Sequence, residues 1–389
     1  MALPRARPHE APQVAPAPAP ATGPAPGPIA VARPRLPAAE AILPYLQRID
    51  EARWYSNFGP LLVELEQRLA DRLRPETRIV TVSNATQALT LALQAMDLPV
   101  GGHVALPAWT FVATAHAVIQ AGLKPWFVDV DPATWMLDPA AVLALSSDLK
   151  RAIAAVIPVC AFGAMPDMAG WRAFRDRTGV PVLIDAAAAF DTLHDARLPA
   201  VVSLHATKVL GLGEGGYLAT EDADLAHRVR QLTTFGFKGS RESLVTATNA
   251  KLSEYTAAVG LAALDNWPGD RLRWMRTAQM LRIALIGRPE VRFQAGWGSE
   301  WVTSVCTVGL PDGAADGVAR MLREDGIDTR QWWDRGCHSS RAFADCRREA
   351  LPVTEALAGA TLGLPFSIDM EAHEIGRVGA ALDRALSRG

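Results

Sequence analysis

The chain has 389 residues, 49% of them hydrophobic and 21% charged, with a formal charge of −2 at pH 7. That balance permits a folded enzyme with ample core, and it argues against a disordered or fibrous protein and a miniature scaffold. A near-neutral charge without a Lys/Arg run among aromatics excludes a grip on nucleic acid, and no apolar run approaches the roughly 20 residues that span a bilayer.

The cysteines Cys160, Cys306, Cys337 and Cys346 are far apart, with no CxxC pair and no histidine set at zinc spacing. A reduced, cytosolic setting is expected. No metal is assigned, including to the neighbours Cys337 and His338, because adjacent residues do not converge easily on one ion. The N-terminus lacks a compact apolar segment after its basic residues, so neither export nor membrane insertion is expected.

Residues 1–36 are rich in proline and alanine, as in Ala15-Pro16-Ala17-Pro18, and lack large side chains to pack; they are expected to form a disordered extension. Folding is expected to begin near Pro37, where Ala41, Ile42, Tyr45 and Leu46 repeat with helical period. Short β-branched runs then alternate with helical stretches. The pattern predicts a strand over 78–83, a helix over 86–96, and further strands over 103–106, 155–159, 181–185, 201–205 and 216–220. It points to an α/β large domain with a mainly parallel sheet over 37–264. A second rhythm follows, with a strand over 301–310 and helices over 314–323 and 372–386, predicting a smaller C-terminal α/β domain over 265–389.

The sharpest local feature is Ser203-Leu204-His205-Ala206-Thr207-Lys208, which precedes the glycine-rich Gly211-Leu212-Gly213-Glu214-Gly215-Gly216. Most lysines are solvated charges. One withdrawn from water loses basicity, and Lys208 is then an amine nucleophile suited to a Schiff base with an aldehyde cofactor, pyridoxal 5′-phosphate (PLP) being the obvious one. Such a ring needs an anion beside its nitrogen, and Asp185, ending the apolar strand Pro181-Val182-Leu183-Ile184, is placed at a sheet's carboxyl edge. A helix N-cap is the other reading of Asp185. The cofactor's phosphate needs N–H groups and hydroxyls. Ser83-Asn84-Ala85-Thr86-Gln87, between strand and helix, offers both, and Thr86 and Ser203 could supply hydroxyls from neighbouring strand ends, although by itself such a cluster is more often plain helix capping. Trp109 offers a flat face for the ring, or is simply core.

These segments, in order, resemble the StrS/DegT family of fold-type-I, PLP-dependent nucleotide-sugar aminotransferases. The resemblance rests on Trp54-Tyr55-Ser56-Asn57-Phe58-Gly59-Pro60, Ser83-Asn84-Ala85-Thr86, Leu106-Pro107-Ala108-Trp109-Thr110-Phe111, Phe127-Val128-Asp129-Val130-Asp131, Asp185-Ala186-Ala187, the Lys208 segment, and Thr248-Asn249-Ala250-Lys251-Leu252-Ser253-Glu254. It implies a fold-type-I transferase in which Lys208 is the Schiff-base lysine, Asp185 pairs with the pyridinium nitrogen and Trp109 stacks on the ring. Ala85, Thr86 and Ser203 match phosphate-binding positions. Asn249 matches an asparagine reaching the phosphate from a partner subunit, which implies a homodimer; a cap on a helix starting near Leu252 is its other reading. Two positions depart from the family pattern: Ala188 stands where Gln or His usually meets the cofactor's 3′-oxygen, and Asp191 where glycine is usual. The stretch from Asp185 to Lys208 also looks short, as from a trimmed hairpin.

The resemblance implies a two-half reaction in which L-glutamate donates an amino group and a keto sugar on a nucleotide receives it. The Ser-Asn-Phe-Gly-Pro and Thr-Asn-Ala-Lys-Leu-Ser-Glu variants are similar to those of relatives acting at C4 of dTDP-4-keto-6-deoxyglucose. A PLP-dependent sugar dehydratase of the same family is the nearest alternative, but there a histidine replaces the lysine. A non-catalytic PLP-binding regulator is the alternative from another class, kept open by Ala188.

Overall fold

The computed structural model describes residues 27–387. The expected extension therefore divides: residues 1–26 lie outside the described residues, whereas 27–36 depart from the expectation. Ile29 and Val31 are buried, Ile29 and Ala32 bridge in parallel to Ile327 and Phe366, and Arg33 pairs with Glu374 at 2.7 Å. Composition misses this strap because two β-branched residues at i and i+2 suffice to fill one face of an extended segment once distant chain supplies the groove.

Seven strands and one short edge segment form the main sheet. Across it lie Arg78–Val82, Gly216–Thr220, Ala200–Ser203, Ile184–Asp185, Ala155–Val156, His103–Pro107, Lys124–Val128 and Arg347–Arg348, in that spatial order. Parallel bridges Val156–Val182 and Val159–Asp185 join the two halves into one sheet. Gly216–Thr220 runs antiparallel to both neighbours, and the other pairings are parallel. Helices such as Ala85–Ala95 and Val112–Gln120 cover the faces, so the strands are buried on both sides. This is why they read as unbroken apolar runs rather than alternating ones.

A 31-residue helix, Glu254–Ala284, runs through the predicted domain boundary at 264/265 without interruption, although Pro268 lies inside it. Its first turn holds another helix in place. Glu254, buried, accepts the N–H groups of Leu61 at 2.8 Å and Leu62 at 2.9 Å, the opening donors of helix Pro60–Ala70. A Cβ on Gly59 would lie 2.6 Å from the Glu254 carboxyl carbon, so the glycine is what lets the carboxylate reach the helix end.

The C-terminal part is built on an antiparallel sheet in which Cys306–Gly309 lies between Thr361–Leu364 and Arg292–Phe293. Helices Ala315–Glu324 and Ala372–Leu386 pack together beside it. Helix Pro352–Ala360 docks back on the main sheet, because the Asp129 carboxylate takes the N–H groups of Val353 and Thr354, each at 2.8 Å.

Candidate active site

The carboxyl ends of adjacent strands gather most of the residues singled out by sequence. Asp185 ends its strand with 5% of its surface exposed. Its Oδ2 accepts the Thr114 hydroxyl at 2.7 Å and its Oδ1 the Ala187 N–H at 3.1 Å, while Thr110 and Thr114 share a 2.8 Å hydrogen bond. The Ala187 bond is a local turn bond, and no helix directly follows Asp185, so the N-cap reading does not hold. The bond leaves lone pairs on both oxygens. Burial raises the Asp185 carboxyl above its ordinary pKa, against the opposing pull of the Thr114 hydroxyl, the Ala187 N–H and the charge of Lys208.

Lys208 sits on a closed loop. Leu204 N–H bonds Gly215 O at 2.9 Å, Ala206 N–H bonds Gly213 O at 2.7 Å, and Leu212 N–H returns to Leu204 O at 2.9 Å. Gly213, at φ +101°, supplies a left-handed turn that side chains disfavour. The lysine is half-buried, and desolvation lowers its pKa while the negative charge of Asp185 opposes the shift. Cys160 donates its backbone N–H to Asp185 O at 2.9 Å, and its buried thiol is raised well above its usual pKa by desolvation and then by Asp185. It is an inert wall, not a nucleophile.

Asn84 caps helix Ala85–Ala95 through Gln87 N–H at 2.9 Å, so capping is real here. The N–H groups of Ala85 and Thr86 nevertheless have no protein acceptor among the described residues. Gly216, opposite Ser203 and Val82 in the sheet, passes directly under this helix end, where an added Cβ would lie 2.6 Å from Ala85 N. The buried Ser203 Oγ accepts the His205 N–H at 3.2 Å and keeps its own hydrogen to donate.

Trp109 is buried, with its Nε1 unpartnered, and meets Trp333 edge-on at 5.3 Å and Phe162 at 6.5 Å. Phe162 and Trp333 stack at 4.0 Å. Asn249 stands apart. Its side chain is exposed and accepts Lys251 Nζ at 2.5 Å, while the next residue, Ala250, receives the Ser83 N–H at 2.8 Å. The cap of helix Glu254–Ala284 is Ser253, bonded to Thr256 N–H at 3.1 Å, so Asn249 does not cap it.

Sequence reasoning missed Thr114, Gly216, Trp333 and the pair Asp191–Arg271, described below. Gly216 and Asp191 were noted in the sequence without a role, and Thr114 left a local trace, the Thr110/Thr114 pair one helical turn apart after a strand end. Ala188 presents no polar side chain to the site. Its carbonyl receives the Thr303 hydroxyl at 3.4 Å.

A buried carboxylate, a desolvated amine and a helix N-terminus with free N–H groups, on a mainly parallel sheet with a smaller C-terminal part, define a fold-type-I PLP-dependent aminotransferase. The chain belongs to the DegT/DnrJ/EryC1/StrS aminotransferase family, whose model matches residues 38–383. It is 30% identical to Protein Mb3436c of Mycobacterium bovis, over 93% of this chain and 91% of that one. It is also 30% identical to the GDP-perosamine synthase of Caulobacter vibrioides, over 92% and 98%. The crystal structure of DesI in the presence of its TDP-sugar product superposes with a TM-score of 0.84 at 34% identity, covering 94% of this chain and 95% of that one. The donor set fits PLP, since the free lone pairs of Asp185 suit a ring N–H and the N–H groups of Ala85 and Thr86 suit a phosphate. No helix among the described residues is long and apolar enough to cross a membrane.

Proposed function

We propose that this aminotransferase moves the amino group of L-glutamate to the ketone of a nucleotide-linked keto-deoxysugar, with dTDP-4-keto-6-deoxyglucose as the specific candidate, and that it works as a cytosolic homodimer. The observation that carries the reading is the placement of the buried Asp185 carboxylate at the end of its strand and of the half-buried Lys208 on the loop that follows the adjacent, parallel strand Ala200–Ser203. Relatives of similar length that are named for GDP- and TDP-sugar chemistry support the substrate class.

PLP supplies an electrophilic aldehyde and a ring that accepts the electron pair released when a Cα–H bond breaks. Asp185 holds a proton on the ring nitrogen, because a carboxylate buried beside that nitrogen is stabilised by the positive charge it faces. Thr114 and Ala187 N–H fix the carboxylate's orientation. Lys208, its amine made less basic by desolvation, would hold the cofactor through its aldehyde, and would move the proton taken from Cα of the amino donor and the one returned to the sugar carbon. Ala85, Thr86 and Ser203 would hold the phosphate, and Trp109 would face the ring. Asn249 completes the phosphate site of the partner subunit, consistent with its exposure in the single chain.

The test is to incubate the pure enzyme with PLP, glutamate and a panel of dTDP-, GDP- and UDP-keto sugars, and to follow amino-sugar formation by mass spectrometry. Amination of the dTDP 4-keto sugar above the others supports the proposal in full. Amination of another nucleotide's sugar corrects the substrate, and no amination of any sugar overturns the substrate class.

A further inference from the structure

Asp191 has a carboxylate that is 97% buried, with its side chain 3% exposed, yet it lies outside the machinery described above. Arg271, on helix Glu254–Ala284, donates to it through Nε at 2.6 Å and Nη2 at 3.2 Å, and the Val302 N–H adds a third bond at 3.1 Å. Arg271 also donates to Glu300 O at 3.1 Å. One residue further on, Thr303 donates its hydroxyl to Ala188 O at 3.4 Å. The 300–303 segment of the C-terminal part thus seats on the turn that leaves the Asp185 strand.

That turn is short and self-bonded. Ala189 N–H returns to Ala186 O at 2.8 Å, Leu193 N–H returns to Ala189 O at 2.9 Å, and Thr192 Oγ1 donates to Gly163 O at 2.7 Å. Gly163 is required where it sits, at φ +105°, since a Cβ there would lie 2.9 Å from Ala188 O and 3.0 Å from the Thr303 Cβ. Asp185 opens this turn and Asp191 lies further along it, so five residues separate the carboxylate facing the site from the carboxylate held by the C-terminal part.

We propose that Asp191 is a positioning residue: through Arg271 and Val302 N–H it sets the angle at which the turn presents the Asp185 carboxylate to the pyridine nitrogen of PLP. The cofactor site then senses whether the C-terminal part is docked. A bidentate, charge-assisted pair with a third N–H bond is a strong and directional fixture, unlike an exposed ion pair. It is also unlike a glycine at the same position, which has no side chain to be held. The inference rests on PLP binding at Asp185, and it is independent of which sugar is aminated.

Asp191→Asn and Arg271→Lys are measured against the parent for PLP affinity and for the pH midpoint of the visible absorbance of the bound cofactor. Arg288→Met, which breaks the Arg288–Asp383 pair without touching this turn, serves as the control for plain loss of stability. The expected result is PLP binding weakened about tenfold, the order of effect of losing an orienting hydrogen-bond partner behind a ligating group. A displaced pH midpoint accompanies it in both turn variants, with neither change in the control. If Asp191→Asn does not fold, Arg271→Lys carries the test, because it keeps the charge and loses the fork. Melting temperatures that fall while affinity and midpoint stay at parental values overturn the proposal. A parent that binds no PLP would instead count against the assignment of the cofactor to Asp185, an outcome distinct from either.

Discussion

Asp185 and Lys208 push each other toward charge while burial pushes each toward neutrality. Without the cofactor, burial raises the folded pKa of Asp185 above the unfolded value of about 3.9, so the fold disfavours its ionisation. A raised carboxyl pKa contributes stability that is full at low pH and is lost as pH rises through the folded value. Asp185→Asn, neutral throughout, is therefore expected to melt a few degrees higher than the parent at pH 8 in the cofactor-free protein. The gap should close as pH falls toward 4. With PLP and substrates the same variant should lose most of its rate, because an amide cannot hold the ring nitrogen protonated. Calorimetry at both pH values checks the first part, and equal melting at pH 8 contradicts it.

Lys208→Ala is expected to abolish turnover and the visible absorbance of lysine-bound cofactor, since no other residue at the strand ends offers both an amine and a proton carrier. Asn249→Ala should impair the enzyme through the partner's site. Co-refolding the two inactive variants should then restore activity, because the mixed dimer holds one site with both an intact lysine and an intact asparagine. Native mass spectrometry to count mixed dimers, together with an amination assay, decides the matter; mixed dimers without activity sink the shared site.

Gly216→Ala places a methyl 2.6 Å from Ala85 N, a distance real Cβ atoms do not adopt, so the helix end or the strand must shift. A cost of about 1–3 kcal/mol is expected for such overpacking. PLP affinity should fall with it, because the N–H groups of Ala85 and Thr86 move together. Urea denaturation and PLP titration on one sample check both effects, and an unchanged affinity would separate Gly216 from the phosphate site.

Two truncations give opposite expectations. Removing residues 1–26, whose composition cannot build a core, should leave activity near that of the full chain. Extending the deletion through residue 36 removes the buried Ile29 and Val31 and the Arg33–Glu374 pair. Each apolar side chain is worth about 1.5–3 kcal/mol on full burial, so the longer truncation should melt well below the shorter one. Comparable melting of the two would show that the strap is dispensable.

The alternation of apolar runs and helical stretches determined the α/β class, because the strand pattern records burial on both faces in the local sequence itself. Asp185, Lys208 and the Ser83–Gln87 group were legible for a related reason: polar residues immediately after buried strands fall at the sheet's carboxyl edge whatever the loops do. The family motifs pointed further to Trp109, which follows its strand into the core, and to Asn249, which stands apart with an exposed side chain. What local sequence cannot carry is the identity of a partner far away in the chain. The bond from Thr114 to Asp185 spans 71 positions and that from Arg271 to Asp191 spans 80.

The continuity of the helix across 264/265 was not legible in the sequence for the same reason. Asp265, Pro268 and Gly269 look like a break, yet the helix runs on through them, with Asp265 bonded to Tyr45 at 2.6 Å and Arg68 at 2.7 Å and Trp267 packed edge-on against Phe190 at 4.9 Å. Packing against remote chain outweighed the local cost of an interior proline. Ile29 and Val31 show the same asymmetry, since a segment too poor in large side chains to fold alone becomes ordered when a groove is already built. Sequence fixes which residues stand at strand ends, because backbone period is local; the tertiary structure decides what each buried charge and each exposed strap is held by, because those partners meet only after the chain has closed on itself.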